Sequence, residues 1–269
     1  MVDVTQIADQ LLTARQKAAL MPLPSSQGPF TLADAFAVGD AIRGRRMAAG
    51  ELPRGYKIGF TNRSIWARYG VYAPIWAPVW DSTVRVLDVA RAELSMAGLV
   101  QPRFEPEVVF GFKRAPQPGL SANELIDCLD WVAHGAEIVH THFDGWNFTA
   151  ADSVADFALH GALLVGPRCD PAAFGSDLSG QLAALSVELS CDGRVVDRGQ
   201  GSNVLDSPLL ALHLWLQAMT VHSPHWTVEA GDMVTTGTIT DAWPIAAGQH
   251  WQTSLSDQRL SGLSVTVTD

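Results

Sequence analysis

Glu105 and Glu107 stand two residues apart in the run Glu105-Pro106-Glu107-Val108-Val109-Phe110, and a third carboxylate, Glu137, follows thirty residues later. In an extended segment the side chains at i and i+2 point to one face, so the first two glutamates project together. Val108, Val109 and Phe110 read as a strand entering a core. Two carboxylates held side by side repel, and one is driven towards its protonated form unless a cation lies between them. An all-oxygen donor set suits a hard divalent ion such as Mg²⁺ or Mn²⁺. The competing reading is two solvated glutamates on an edge strand, because charged residues usually stay outside.

Lys57 falls in Gly55-Tyr56-Lys57-Ile58-Gly59-Phe60-Thr61-Asn62, a strand-like alternation leading into a turn. Near carboxylates, a partly buried lysine is an anion anchor, or an acid/base group if desolvation lowers its pKa. The plainer alternative is a packed stem with its ammonium in water. Beyond Glu137, the alternation of Glu137, Val139 and Thr141 against Ile138, His140 and His142 reads as a strand. The two histidines share a face, but not that of Glu137, and no nearby acids complete a zinc set. They are expected to line a pocket wall or an interface.

Two glycine-bearing segments suit close backbone approach. Gly199-Gln200-Gly201 precedes a helix opened by Asp206-Ser207-Pro208, with proline fitting the first turn. Val204 stands where the dinucleotide fingerprint needs its third glycine, so the nucleotide signal is weak. The run 231–238 reads as a turn entering a strand that ends in Thr235, Thr236 and Gly237. Those groups either hydrogen-bond a substrate carboxylate or close the strand.

The elements that must position these residues begin with two amphipathic helices. Ile7, Leu11, Leu12, Ala19 and Leu20 recur at helical spacing after a cap at Asp3 or Thr5, and Thr31 opens a second helix. A breaker stretch at 22–29 separates them. Together they predict a helical N-terminal cap over 1–52 and a body over 53–269. In the body, short β-like runs are expected at 56–60, 84–87, 107–112, 137–142, 162–165, 185–191 and 263–267. Helices are expected at 123–131, 150–156 and 207–219. Clustered strands without a regular βαβ rhythm predict an α+β fold. Trp66, Trp76 and Trp80 make the segment after Gly59 heavily aromatic; core packing is the first reading, a more apolar pocket the second.

Composition narrows the function classes. Of 269 residues, 47% are hydrophobic and 17% charged, the texture of a globular chain. A net charge of −10 argues against a nucleic-acid partner, which would need lysine and arginine. No apolar run approaches the roughly 18 residues needed to cross a bilayer, so no membrane partner is expected. The N-terminus has neither a basic start nor an apolar region of signal-peptide type, and Cys128, Cys169 and Cys191 suggest neither a disulfide framework nor a zinc site. A cytoplasmic location is therefore expected. The 9 tryptophans and the apolar balance make a homo-oligomer plausible.

Taken together, these segments resemble the 2-keto-4-pentenoate hydratase / 4-oxalocrotonate decarboxylase group of the fumarylacetoacetate hydrolase superfamily. The carrying residues are GYKIGFT at 55–61, EPEVVF at 105–110, AEIV at 136–139, ADSVAD at 151–156, GSNVLDSPLLA at 201–211 and AGDMVTTG at 230–237. The resemblance implies a mixed β-sandwich roll body like the superfamily's C-terminal domain, with the small helical layer added. It implies Mg²⁺ or Mn²⁺ on Glu105, Glu107 and Glu137, and a small α-keto or enol acid held through its C1 carboxylate and C2 oxygen. The activity implied first is hydration of a 2-hydroxy-2,4-dienoate in aromatic meta-cleavage catabolism. A 4-oxalocrotonate-type decarboxylase stands second, and an acylpyruvate C–C hydrolase third. Lys57 is the candidate for proton transfer or for holding the substrate carboxylate, and Asp81 is a further acid/base candidate. Where the family continues with asparagine and small hydroxyl residues, this chain has Phe157, Ala158, Leu159 and His160. His160 is therefore expected to replace a hydroxyl as substrate donor, beside Thr236 and Gly237.

Overall fold

The computed structural model describes residues 3–269, apart from the side chains of Ser64, Arg68 and Tyr69. Its helices are α1 (Val4–Lys17), α2 (Leu32–Ala48), α3 (Trp66–Tyr69), α4 (Ala122–Leu125), α5 (Ala150–Ala155), α6 (Leu178–Ala184) and α7 (Pro208–His222). The strands of the first half are β1 (Pro53–Gly59), β2 (Ile75–Trp80), β3 (Val84–Val86), β4 (Arg91–Ser95), β5 (Arg103–Phe112) and β6 (Leu129–Val139). Those of the second half are β7 (His160–Val165), β8 (Ser186–Cys191), β9 (Arg194–Gln200), β10 (Met233–Thr235), β11 (Trp243–Pro244), β12 (His250–Leu255) and β13 (Ser264–Thr268).

The strands form two sheets in a mixed α+β fold. One runs β2-β1-β10-β5-β6-β7-β3, with β11 also on β5; the other runs β4-β13-β12-β8-β9. Phe104, Ile138 and Leu164 of the first sheet share a core with Leu189, Trp251 and Val265 of the second. Farther along β5, Val108 and Phe110 belong instead to a larger core that includes Leu11 of α1, Phe36 of α2 and Leu212 of α7. The strand thus passes from the sheet–sheet core into the helix–sheet core, and its polar face lies where the two meet.

Local rules explain most of the elements. Asp3 caps α1 by accepting from Gln6 N, and Thr31 and Asp34 form a reciprocal capping box at α2. Pro78 is tolerated in β2 because that strand is a sheet edge. Pro106 falls between the β10 ladder, which ends at Val109, and the β11 ladder, which starts at Phe104. Segment 201–222 is apolar enough by length and composition to suit a bilayer. Its α-helical part is only 15 residues and buries Leu209, Leu212, Trp215 and Met219, so it is a core helix.

Two expectations change. The helix predicted over 123–131 is one turn of α4 and a short 3₁₀ segment, Ile126–Cys128, and the chain is already in β6 at Leu129. Burial of both faces of β6 erases the alternation that marks a half-buried strand. The strand expected to run to His142 ends at Val139. Gly199 and Gly201 serve packing: a Cβ would lie 2.0 Å from Ile239 O at the first and 1.8 Å from Leu182 O at the second. Trp76 and Trp80 are core residues, each 2% exposed, in keeping with the first reading of the aromatic cluster.

Gly55 pairs with Met233 in the parallel β1–β10 ladder at φ +120°, where a Cβ would sit 1.8 Å from Met233 O. Gly55→Ala is predicted to cost about 3 kcal/mol or more, from left-handed strain plus the backbone clash. A urea midpoint shift at unchanged slope checks this; an unshifted midpoint contradicts it.

Candidate metal centre

The β5–β6 register assembles the carboxylates. Glu105 lies directly opposite Glu137, and Glu107 lies opposite Gly135. Directly paired residues share a sheet face, as do i and i+2, so all three glutamates point the same way. One carboxylate oxygen from each lies within 4.8 Å of the others. Among the described residues this is the one cluster of its kind. Glu107 and Glu137 are fully buried and Glu105 is half-buried. Opposite Glu107 only glycine fits, because a Cβ at Gly135 would meet Val109 Cγ2 at 2.6 Å.

Lys57, on β1, enters the same space. Its ammonium is 3% exposed, lies 3.2 Å from Glu137 Oε2 and donates to Ala158 O at 3.0 Å. The contact to Glu137 is an ion pair without hydrogen-bond alignment. Burial disfavours the Lys57 charge, but Glu137, Glu105 and Glu107 overcome it and hold the pKa above its ordinary value. Desolvation therefore does not lower the Lys57 pKa, which is the condition the reading as a neutral base required. Burial, abetted by its neighbours' charges, pushes Glu107 well up, and burial with the charge of Glu137 pushes Glu105 up to about 7. Glu137 is opposed by burial too, yet Lys57 and His160 bring it below the usual carboxylate range.

Hydrogen bonds leave two oxygens over. Glu107 Oε2 accepts from Gly237 N at 2.7 Å and from the Thr235 hydroxyl, and Glu137 Oε1 accepts from His160 at 2.8 Å. Glu107 Oε1 and Glu137 Oε2 are buried without a hydrogen-bond partner. Buried acceptors are rarely left so, and an oxygen-only set of this charge fits a hard divalent ion.

Beside the trio opens a cavity of about 190 Å³, lined by Lys57, Glu105, Gly237 and Thr238. Ile65, Ile75, Phe148 and Leu159 give it an apolar wall, and Arg103 and Trp146 stand at its edge with the guanidinium 4.0 Å from the ring centre. Ala158 and Leu159 of the wall belong to a strap, Phe157, Ala158 and Leu159, three consecutive non-glycine residues at φ 54°, 46° and 67°. Such conformations cost about 1–3 kcal/mol each and persist only where the surroundings impose them. Here they aim the Ala158 carbonyl at Lys57.

Not every expected residue arrives. Asp81 is exposed in the turn after β2, where its carboxylate accepts from Leu52 N at 3.1 Å, at the end of β2 away from the cavity-lining Ile75. It is not an acid/base group of this site. His160 is buried behind Glu137 with both ring nitrogens engaged, so it does not donate into the cavity. Thr236 gives its hydroxyl to Val108 O, and Gly237 lines the cavity but gives its N–H to Glu107. At Gly237, φ is +101° and a Cβ would lie 1.9 Å from Thr61 Oγ1, so this close approach needs glycine. His142 pairs with Asp156 at 2.6 Å and His140 meets Arg15 at 3.0 Å, both as buried structural contacts. Sequence reasoning missed Thr61, Arg103, Trp146 and the strap; only the departure from the family pattern at Phe157 signalled the last.

No family model matches the chain. A 2-hydroxyhexa-2,4-dienoate hydratase of Comamonas testosteroni is 31% identical, over 88% of this chain and 87% of its own. A 2-keto-4-pentenoate hydratase of Dechloromonas aromatica is 30% identical, over 91% and 94%. Among solved structures, the 4-oxalocrotonate decarboxylase of Pseudomonas putida G7, complexed with magnesium and adipate, superposes with a TM-score of 0.89. It is 25% identical and the match covers 98% of this chain and 97% of that one.

With Glu105 pushed from 4.5 to about 7 in the folded protein, its neutral form supports the metal-free fold at low pH, and that support is lost as pH rises through about 7. A bound cation reverses the penalty on ionised carboxylates. The melting temperature of chelator-treated protein should therefore fall between about pH 5 and about pH 8, and Mn²⁺ should raise it more at the higher pH. Thermal unfolding with and without Mn²⁺ checks this; an equal or smaller gain at the higher pH counts against the trio as the binding site.

Proposed function

The chain belongs to the 2-keto-4-pentenoate hydratase and 4-oxalocrotonate decarboxylase family, and on that premise we propose that it is a metal-dependent hydratase of a 2-hydroxy-2,4-dienoate. The observation that carries the reading is the trio of inward carboxylates, with two oxygens that lack a hydrogen bond and with Lys57 3.2 Å from one of them, beside a small cavity. Glu105, Glu107 and Glu137 hold Mg²⁺ or Mn²⁺. When bound, the ion supplies a Lewis acid that steadies negative charge on the substrate's C1–C2 oxygens. In this reading the body is the superfamily's β-roll, covered by the helical layer of residues 1–52, and the enzyme is cytoplasmic.

The chain's own residues do the rest. Lys57, already protonated, pairs with the substrate carboxylate, or delivers a proton to the dienol carbon and takes up the proton that the enol hydroxyl loses as the ketone forms, ending again as an ammonium. The strap and Glu137 hold its ammonium, which fixes where that proton leaves. Ile65, Ile75, Phe148 and Leu159 enclose the hydrocarbon end and limit water to the polar side, where Thr61 and Thr238 stand. The volume, about 190 Å³, is below the roughly 300–1,000 Å³ of sites for drug-sized ligands and suits a short acid.

Decarboxylation of a 4-oxalocrotonate-like acid is the second reading, favoured by Arg103 on the cavity edge, a cation suited to a second carboxylate. Incubation with 2-hydroxypenta-2,4-dienoate and with 4-oxalocrotonate separates the two. Loss of dienoate absorbance without CO₂ supports the hydratase, and CO₂ from 4-oxalocrotonate supports the alternative.

Two substitutions test the machinery. Glu107→Gln should lower Mg²⁺-dependent turnover by at least about 100-fold, beyond the 10–100-fold typical of outer-sphere partners. Undiminished turnover in that variant, or in wild type after exhaustive chelation, rules out the metal mechanism. Lys57→Met should reduce kcat by about 10²–10⁴-fold while Mn²⁺ binding persists; an unchanged kcat makes Lys57 a packing residue.

A further inference from the structure

His160 has both ring nitrogens engaged, and neither contact belongs to the cavity. Nδ1 lies 2.8 Å from Glu137 Oε1 and Nε2 lies 2.9 Å from Thr83 Oγ1. A carboxylate only accepts, so Nδ1 carries the hydrogen and Nε2 receives the Thr83 hydroxyl. The tautomer and the ring plane follow from those two partners. The backbone is fixed as well: from α1, Arg15 donates to His160 O at 2.7 Å and to Gly161 O at 3.1 Å. The histidine is 1% exposed.

The effect on Glu137 is asymmetric. Oε1 is committed to His160, while Oε2 is buried with no aligned hydrogen bond, its nearest partner being the Lys57 ammonium in an ion pair at 3.2 Å. We propose that His160 is a positioning residue of the metal centre: it holds Oε1 for the protein and turns Oε2 alone towards the cation, making Glu137 a one-oxygen ligand. This rests on the trio being the metal site. A carboxylate gripping the ion with both oxygens would leave one lone pair of Oε1 for His160 and would occupy a position otherwise open to water or substrate. Mg²⁺ accepts about six oxygens in near-octahedral array, so each position matters. Thr83 acts one step farther out by holding the ring.

The test is Mn²⁺ titration of chelator-treated protein, with free Mn²⁺ followed by electron paramagnetic resonance and no substrate present. His160→Leu should raise the Mn²⁺ Kd by about 10–100-fold, the effect typical of losing an outer-sphere partner. His160→Gln, whose amide N–H can reach the same oxygen, should recover part of it, and Thr83→Val should show a smaller loss in the same direction. Val265→Ala, buried in the other sheet, controls for stability: it should lower the melting temperature and leave the Kd in place. A folded His160→Leu protein with wild-type Kd overturns the proposal and leaves the trio standing. Wild-type protein that binds no Mn²⁺ overturns the trio and this inference together. Should His160→Leu fail to fold, wild-type Kd values in both His160→Gln and Thr83→Val overturn it equally.

Discussion

Glu105 and Glu137 face each other across one rung of the β5–β6 ladder, with Glu107 one step along the same face. Like charges directly opposite destabilise a sheet. Two unit charges about 5 Å apart repel by roughly 3 kcal/mol at an effective dielectric of about 20. Against a domain stability of about 5–15 kcal/mol, that repulsion cannot be left uncompensated. The metal-free chain relieves it in two ways: Lys57 brings one positive charge, and Glu105 and Glu107 are pushed towards their neutral forms. Neither gives a hydrogen bond to Glu107 Oε1 or Glu137 Oε2, although Lys57 is ion-paired with the latter. A divalent ion would satisfy both, so the register and the lysine together make a cluster that fits one.

The rest of the fold can be understood as what holds that rung. β5 and β6 must be central, since an edge strand would let water between the carboxylates. Gly135 makes room for Val109 and Leu164 beside Glu107, and Gly237 for Thr61. The second sheet braces the pair from behind through His134, which links the Glu107 carbonyl to Thr253 at 2.9 Å and 2.8 Å. Burial of that imidazole pushes its pKa down to about 4, so the brace is neutral and adds no charge beside the trio.

Legibility from sequence followed the range of the interaction. Glu105 and Glu107 were readable because i and i+2 on a strand is a local rule. That Glu137 stands opposite Glu105 was not, because the register depends on where the intervening segment ends. The expected helix over 123–131 overran the first residues of β6, and no register could be counted through it. Lys57 was readable as a strand residue near acids, but its charge state depends on three partners brought from β5 and β6. β2, β4, β9 and β12 went unnoticed, although β4 and β12 alternate buried and exposed residues as half-buried strands do.

The strap shows a different limit. Phe157, Ala158 and Leu159 take left-handed backbone angles without the glycine or asparagine that would announce them. Nothing local favours that shape, so tertiary contacts must impose it. Arg15 stands over Phe157, 4.8 Å from the ring centre, and grips the carbonyls that follow, while Lys57 takes the carbonyl between. α1 therefore reaches the reacting centre through one arginine without lining the cavity. The same arginine fixes His160, and through it Glu137. A layer that reads in sequence as a simple cap is, by these contacts, part of what holds Glu137 and the lysine beside it in place.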